Sequence, residues 1–218
     1  MINRPEREGP ARERKKPVRT SKEEIQEKAM DLFMKSGYHG MSTRDLCKAL
    51  GISRPTLYWY FKDKEDILFS LHKNRLERGI RPLLARMKEI DDPLTRIRLF
   101  IHQHTRTVCS SPDTKVLINE TEYLAPEHAQ WVRGLWGELL DELRQTLREL
   151  KEDGTIKEVD ELFAAFSLIG IVMWPYTWFD HTRPEGIEGL IDTIEEMFFT
   201  GLLKPSISWR ARGLSNPA

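Results

Sequence analysis

Apolar residues recur with helical spacing through almost the whole chain that follows Thr20. In the first such segment, Ile25, Ala29, Leu32 and Phe33 stand at positions i, i+4, i+7 and i+8, which places them on one face of a helix. Nowhere does the sequence alternate apolar and polar residues over the length of a strand. The pattern therefore predicts an all-α protein of about nine helices, with a small N-terminal group of three helices and a larger C-terminal helical domain.

Capping residues and helix breakers indicate where these helices begin and end. Ser21 and Glu24 have the spacing of a capping box, and Gly37 is expected to end the first helix. Pro55 follows the capping residue Ser53 in a first helical turn, where a missing N–H is tolerated. The later predicted helices cover residues 43–50, Ser53 onwards, 64–88, Asp92 to Ser110, 113–123, 127–152, 159–181 with a bend at Pro175, and 185–200, which Gly201 is expected to end.

The two ends of the chain differ in composition from the helical part. Residues 1–20 are rich in Arg, Lys, Glu and Pro and contain almost no large apolar side chains, so we expect a disordered basic arm. This arm either follows a DNA groove or remains a solvated tail, and its basic residues are Arg12, Arg14, Lys15, Lys16 and Arg19. The predicted domains are the arm 1–20, a DNA-binding domain 21–66, a ligand-binding and dimerisation domain 67–203, and a tail 204–218.

The charges of the chain are balanced in number but unevenly distributed. Lys and Arg together number 34, as do Asp and Glu, so the net charge is zero. Residues 1–64 carry 15 basic and 9 acidic side chains, whereas residues 65–218 carry 19 and 25. A basic head on an acidic body still attracts a phosphate backbone to one end of the molecule.

The segment 42–64, STRDLCKALGISRPTLYWYFKDK, predicts a helix-turn-helix, with Gly51 between two short helices. Hydroxyl groups near the start of the second helix suit phosphate oxygens, and Arg54 suits the N7 and O6 atoms of guanine. The three consecutive aromatic residues 58–60 cannot all face the core, so at least one is expected in a contact surface. The candidate DNA contacts are Thr43, Arg44, Ser53, Arg54, Pro55, Thr56, Tyr58, Trp59, Tyr60 and Lys64.

Residues 20–68 resemble the DNA-binding domain of the TetR family of bacterial repressors. The resemblance implies an all-helical homodimer whose two recognition helices bind a palindromic operator in double-stranded DNA. It also implies a divergent C-terminal domain that binds a small inducer and pairs with its twin. The matching residues are Ala29, Leu32, Phe33, Gly37, Thr43, Leu46, Ala49, Gly51, Ser53, Thr56, Leu57, Tyr58, Tyr60, Phe61, Lys64 and Leu68.

Two apolar helices near the C-terminus are candidates for the dimer interface. The helices 159–181 and 185–200 from two subunits would build a four-helix bundle, and the alternative is that their apolar residues form internal core. The candidate interface residues are Phe163, Phe166, Gly170, Met173, Ile187, Leu190, Ile191, Ile194 and Phe198.

The resemblance places the ligand pocket between the middle helices, at residues 97–178. Aromatic side chains with a few polar groups suit an apolar cavity, although ordinary core is the alternative for each. His102 and His104 are two residues apart, so they face different sides of a helix and are poor co-ligands for a metal. The candidates are these two histidines with Leu117, Ile118, Glu120, Thr121, Tyr123, Trp131, Leu135, Trp174 and Trp178.

The segments 118–120 and 174–179 resemble TetR-type regulators of fatty-acid, acyl-CoA and steroid catabolism. This implies an apolar or lipid-like inducer such as a fatty acyl-CoA; the alternative is a planar aromatic drug, as in multidrug-sensing relatives. The predicted function is a sequence-specific transcriptional regulator, most simply a repressor that the inducer releases from its operator. The competing hypotheses are an enzyme with a DNA-binding appendage and a structural dimer that binds DNA without an inducer.

Several kinds of chemistry lack their usual signals in this sequence. There is no nucleophile elbow, phosphate loop or metal-ligand spacing, so we expect no enzymatic activity, no cofactor and no metal site. Cys47 and Cys109 are far apart, as expected of reduced, buried thiols. No apolar run is long enough for a membrane span or a signal peptide, so we expect a cytoplasmic protein without membrane contact.

Overall fold

Helices dominate the computed structural model of the chain, which describes residues 20–110, 112–180, 182 and 186–205. Short 3₁₀ turns cover Thr121–Tyr123 and Trp174–Thr177, and within the described residues the only β pairing is an isolated bridge between Ile156 and Leu203. The all-α prediction is confirmed. The helices are α1 (Lys22–Gly40), α2 (Thr43–Leu50), α3 (Arg54–Tyr60), α4 (Lys64–Lys88), α5 (Pro93–Cys109), α6 (Asp113–Asn119), α7 (Pro126–Glu152), α8 (Glu161–Met173) and α9 (Gly186–Leu202).

Local capping explains why the first five helices begin where they do. In each, the side-chain oxygen of the N-cap residue accepts a hydrogen bond from the backbone N–H three residues later, which satisfies a donor that the helix itself cannot. Ser21 and Glu24 form the full capping box, as predicted. The five capping residues are Ser21, Ser42, Ser53, Asp63 and Asp92.

The two helix ends predicted at glycines are wrong. Gly37 has φ 68° and ψ 175°, so it bends the chain, but a further helical turn follows and α1 ends at Gly40. Gly201 lies inside α9, which continues to Leu202. Burial of Leu202 and Leu203 against the core favours this extra turn more than the glycine opposes it. The predicted bend at Pro175 is a 3₁₀ turn that follows α8.

Helix α4 joins a small head, formed by α1–α3, to the larger helical body. Its first turns bury Ile67 and Leu68 at the head, and its later turns bury Leu76, Ile80 and Leu83 in the body. In the body α4 packs against α5 and α7, and α7 packs against α8. Any shift of α4 therefore displaces the head relative to the body.

Parts of the sequence predictions fall where the structure gives no description. The basic residues Arg12, Arg14, Lys15, Lys16 and Arg19 lie outside the described residues, and so do positions 206–218 of the predicted tail. Among the helices that are described, none is both long and apolar enough to cross a membrane.

Candidate DNA interface and effector cavity

Helix α3 presents a row of side chains to solvent. Ser53 caps it and Pro55 occupies its first turn, while Leu57 is fully buried and holds it against the head. On the opposite face, Tyr58 is 41% exposed and Trp59 is 76% exposed. Exposed aromatic rings of this size indicate a contact surface.

Arg54 and Tyr58 form a preformed pair on this exposed face. The Arg54 Nη2 atom donates a 3.3 Å hydrogen bond to the Tyr58 hydroxyl, and the guanidinium lies 5.7 Å from the centre of the ring. This hydrogen bond, together with one that involves Thr43 of α2, lowers the pKa of Tyr58. The pair therefore connects the N-terminus of α2 with the exposed face of α3.

All ten predicted DNA contacts keep exposed or partly exposed side chains, but two of them, Tyr60 and Lys64, bond to the backbone of the head. The Tyr60 hydroxyl donates a 2.6 Å hydrogen bond to the carbonyl of Thr20. The Lys64 ammonium donates to the carbonyls of Tyr38 and Met41 at 2.8 and 3.1 Å. A DNA role for each of the ten residues stays a prediction. The other eight residues are Thr43, Arg44, Ser53, Arg54, Pro55, Thr56, Tyr58 and Trp59.

The predicted dimer interface divides into an exposed part and a buried part. On α8, Phe163 is 70% exposed and Phe166 is 53% exposed, and Gly170 lies on the same surface. Ile187 and Leu190 of α9 are half-buried against the core. Met197 of α9, another residue of the predicted apolar surface, is also exposed, at 63%.

The remaining four predicted interface residues face the interior of their own chain. A role for Ile191, Ile194 and Phe198 in the interface stays a prediction, because all three are buried in the core of their own chain. They are buried because the inner face of α9 packs on α5. Met173 is half-buried, and its sulfur lies 3.0 Å from the Nε2 atom of His104.

A cavity of about 80 Å³ lies among the middle helices. Helices α4 to α7 surround it, and Met173 at the end of α8 completes the wall. Its lining residues are His72, Arg75, Leu76, Gly79, Ile80, His104, Thr107, Val108, Thr114, Leu117, Ile118, Thr121, Val132, Trp136 and Met173.

Four of the predicted ligand residues line this cavity, namely His104, Leu117, Ile118 and Thr121. The others do not, because each is engaged elsewhere. Within the body, His102 pairs with Glu195, Trp131 packs edge-on against Phe69, and Leu135 is core. The assignment of these residues to the cavity is corrected.

The rest of the corrected set lies toward the head or on the surface. The carboxylate of Glu120 accepts a hydrogen bond from the backbone of Tyr38, and the ring of Tyr123 stacks on the ring of Tyr38. Trp174 and Trp178 are more than half exposed, at 61% and 57%. Neither tryptophan reaches the cavity wall.

The sequence reasoning missed the contribution of α4. His72, Arg75, Leu76 and Gly79 stand at i, i+3, i+4 and i+7, and together they form one wall of the cavity. The usable signal was a histidine, an arginine and a glycine on the otherwise apolar stripe of a long helix.

The two histidines of the cavity are uncharged at neutral pH. Burial lowers the pKa of His72 to about 4. Burial lowers the pKa of His104 to about 4 as well, and the charge of Arg75 adds to the effect. Within the described part of the chain, the Nε2 atom of His72 has no hydrogen-bond partner, although this side chain is only 4% exposed.

Arg75 separates the cavity from an open cleft of about 560 Å³ on the surface. Its Nη2 atom donates to the carbonyl of Thr107 at 2.5 Å and to the hydroxyl of Thr114 at 2.6 Å. Arg75, Gly79, Thr107 and Leu117 line both spaces. The other residues of the cleft are Glu23, Gln26, Glu27, Met30, Asp31, Leu71, Asn74, Arg78, Ser110 and Asp113.

Two family models cover most of this architecture. Residues 25–71, the head and the start of α4, match the model "Bacterial regulatory proteins, tetR family". Residues 91–202, which include most of the body, match the model "Tetracyclin repressor-like, C-terminal domain". The chain belongs to the TetR family. TetR-family membership agrees with the helix-turn-helix predicted at residues 42–64 and makes the chain a DNA-binding regulator.

Similar proteins span nearly the whole fold of this TetR-family chain. The fatty acid metabolism regulator protein of Bacillus subtilis (strain 168) is 25% identical over 182 residues, which are 82% of this chain and 94% of that protein. The transcriptional regulator AcrR of Shigella flexneri is 28% identical over 153 residues, 65% of this chain and 69% of AcrR.

Two solved structures are similar over comparable lengths. AibR in complex with isovaleryl coenzyme A and operator DNA has a TM-score of 0.73 and 26% identity, with 82% of this chain and 97% of AibR covered. FadR from Bacillus subtilis in complex with stearoyl-CoA has a TM-score of 0.67 and 26% identity, with 81% and 97% covered.

Proposed function

We propose that this TetR-family regulator is a homodimeric repressor that binds a palindromic operator through α3 and is released by an acyl-coenzyme A thioester. The observation that carries the effector class is the arrangement of two adjoining spaces, a cavity within the body and a cleft between the body and α1 of the head. An apolar cavity sized for part of a ligand adjoins, at Arg75, a cleft large enough for a bulky polar remainder. An acyl group joined to coenzyme A has this division into a small apolar end and a large polar end.

The similar structures support the effector class without fixing its length. AibR is described with isovaleryl coenzyme A and FadR with stearoyl-CoA, so the two neighbours carry acyl groups of very different size. In this chain the acyl end would enter the cavity, and the coenzyme would remain in the cleft beside Arg75 and Arg78.

Two helices are placed to carry the response from the cavity to the head. Helix α4 contributes His72 and Arg75 to the cavity and begins within the head. Helix α6 contributes Leu117 and Ile118, and the adjoining Glu120 contacts Tyr38 of the head. A ligand that displaces Arg75 would shift both helices, separate the two recognition helices and weaken operator binding, with a coupling free energy of about 1–3 kcal/mol.

This proposal can be tested by measuring operator binding with and without effector. DNA flanking the gene is labelled, and its affinity is measured by fluorescence anisotropy over a salt series, alone and with acetyl-, butyryl-, octanoyl- and palmitoyl-CoA. Tight, salt-sensitive binding that an acyl-CoA weakens by about 5- to 150-fold is the expected result. Tight binding that no acyl-CoA changes would contradict the effector class.

A second candidate effector is a planar cationic aromatic compound. The carboxylates of Glu23, Glu27 and Asp31 lie around the cleft, and they favour a cation over the phosphates of coenzyme A. Ethidium and rhodamine 6G in the same anisotropy assay separate the two effector classes. Release by these dyes but by none of the acyl-CoAs would establish the second candidate.

A further inference from the structure

The small size of the cavity limits what part of an effector can enter it. The volume is about 80 Å³, whereas an apolar cavity known to bind benzene has about 150 Å³ and a water molecule occupies about 30 Å³ of liquid. The space therefore holds about three to five non-hydrogen atoms. Leu76, Ile80 and Val132 in its wall are buried core residues, so enlarging it would disturb the packing of α4 against α7.

One polar group in the wall has no hydrogen-bond partner among the described residues. The His72 side chain is 4% exposed and lines the cavity, and its Nε2 atom makes no hydrogen bond to any described residue. A buried polar atom without a partner destabilises the folded state, so its presence calls for an explanation. The other histidine of the cavity differs, because the Nε2 atom of His104 contacts the sulfur of Met173 at 3.0 Å.

The chemistry of His72 defines the group that would satisfy it. Because burial lowers the pKa of His72 to about 4, the ring is neutral at pH 7. A neutral imidazole can donate one hydrogen bond from Nε2 when the proton resides there, and a carbonyl oxygen accepts such a bond. Arg75, the only cation among the described residues of the wall, already donates to Thr107 and Thr114 at the boundary with the cleft.

From this geometry we infer that the cavity selects a short acyl group, of about two to four carbons with the carbonyl oxygen, and that His72 donates a hydrogen bond to its thioester carbonyl. This inference rests on the proposed function and specifies its effector. His72 is a specificity-determining residue for the carbonyl end, and the apolar wall sets the chain length. The coenzyme leaves the cavity past Arg75.

Calorimetric titration of the full-length dimer with the acyl-CoA series tests both parts of the inference. Butyryl-CoA is expected to bind more tightly than octanoyl- and palmitoyl-CoA. His72→Leu, which fills a similar space without a donor, is expected to lose about 5- to 30-fold in affinity for butyryl-CoA. His72→Gln keeps a donor and is expected to retain most of that affinity, while Lys88→Ala, at an exposed position of the same helix, should match the wild type.

The stability of the variants separates recognition from folding. His72→Leu removes an unpartnered buried polar group, so its thermal midpoint should equal or exceed that of the wild type and its operator affinity without effector should be unchanged. A lowered midpoint with lost binding would mean a structural role and overturn the assignment. Tightest binding of palmitoyl-CoA, or equal butyryl-CoA affinity in His72→Leu, would also overturn it while the proposed function stands. Binding of no acyl-CoA at all would overturn the proposed function itself.

Discussion

The carboxylate of Glu120 accepts a 3.1 Å hydrogen bond from the backbone N–H of Tyr38, 82 residues earlier in the chain. Glu120 directly follows α6, which lines the effector cavity, and Tyr38 lies in the last turn of α1 in the head. The rings of Tyr38 and Tyr123 stack beside this bond, with centres 4.9 Å apart and planes 6° apart. The cavity and the DNA-binding head are thus joined by a direct contact as well as by the continuous helix α4.

This contact leads to a prediction about allosteric coupling. Glu120→Ala removes the acceptor, so displacement of α6 by the effector is transmitted less well to α1. The coupling is measured as the ratio of the operator affinity without effector to the operator affinity with effector. We expect this ratio to fall by about 5- to 10-fold in Glu120→Ala, while the operator affinity without effector changes by a smaller factor. The control variant is Asn119→Ala, at the exposed end of α6. Anisotropy titrations of Glu120→Ala and of this control measure the ratio. An unchanged ratio in Glu120→Ala would assign the coupling to α4 alone.

The Arg54–Tyr58 pair leads to a prediction about DNA recognition. Tyr58→Ala removes an exposed ring and frees Arg54, so we expect specific operator affinity to fall by about 5- to 150-fold. Arg54→Ala should instead relax base preference at one symmetric pair of operator positions. Selection of binding sites from a random DNA pool measures the second effect.

Thermal unfolding and size-exclusion chromatography should show that both variants keep the fold and the dimer. Met34→Ala, at an exposed apolar residue of the head outside α3, is the matched control and should bind the operator as the wild type does. Full operator affinity in Tyr58→Ala would contradict the assignment of α3 as the recognition helix.

Helix boundaries could be predicted from the sequence because their causes are local. A capping side chain bonds to a backbone group three residues away, so Ser53 or Asp63 marks a helix start without knowledge of the fold. His102 and His104 show the limit of prediction from local sequence. Their spacing correctly predicts opposite sides of α5, but only the packing of α9 and α7 decides that His102 contacts Glu195 and His104 lines the cavity.

The orientation of Tyr60 and Lys64 depends on tertiary contacts in the same way. Their partners Thr20, Tyr38 and Met41 come from the far end of the head, and no spacing rule within the helix-turn-helix contains them. The missed face of α4 has a similar cause. A histidine on an apolar stripe is usually core, and only the three-dimensional arrangement puts His72 in the wall of a cavity and leaves its Nε2 atom without a partner among the described residues.

Lys64 can be tested as a structural residue. Its ammonium group bonds two carbonyls and lies 4.1 Å from the centre of the Tyr38 ring, and burial lowers its pKa. Lys64→Ala should therefore cost about 1–3 kcal/mol of unfolding free energy, measured by urea denaturation, while the exposed Lys62→Ala should cost little. The salt dependence of operator binding should be unchanged in Lys64→Ala. A slope reduced by about 1 per contact would identify Lys64 as a phosphate contact after all.

The exposed apolar patch on α8 predicts how the dimer can be broken. Phe166 is 53% exposed in a single chain, and Phe163 and Met197 lie in the same patch. Phe166→Arg places a charge in that surface, so we expect the dimer dissociation constant to rise by at least about 10-fold and operator affinity to fall with it. Analytical ultracentrifugation measures the first effect. Gln145→Arg, which adds the same charge at an exposed position of α7, should remain dimeric. If Phe166→Arg remains dimeric, the dimer interface does not include this patch.

The buried histidines predict how stability depends on pH. The pKa values of His72 and His104 are lowered from 6.5 to about 4 in the folded chain, so between these values the unfolded chain binds more protons. The free energy of unfolding must then rise with pH across this window, and acidification from pH 6.5 towards 4 must destabilise the fold.

Each of the two histidines contributes at most ~1.4 kcal/mol per pH unit to this slope. Carboxylates titrate near the lower end of the same window, so a comparison of variants isolates the histidine part. His72→Leu should flatten the dependence of urea unfolding between about pH 6.5 and pH 5 by up to the contribution of one histidine, whereas Lys88→Ala should keep the wild-type slope. Parallel curves for His72→Leu and the wild type would show that His72 is charged in the folded state. Such a result would leave the proposed hydrogen bond to the effector untouched, because a charged imidazolium also donates from Nε2.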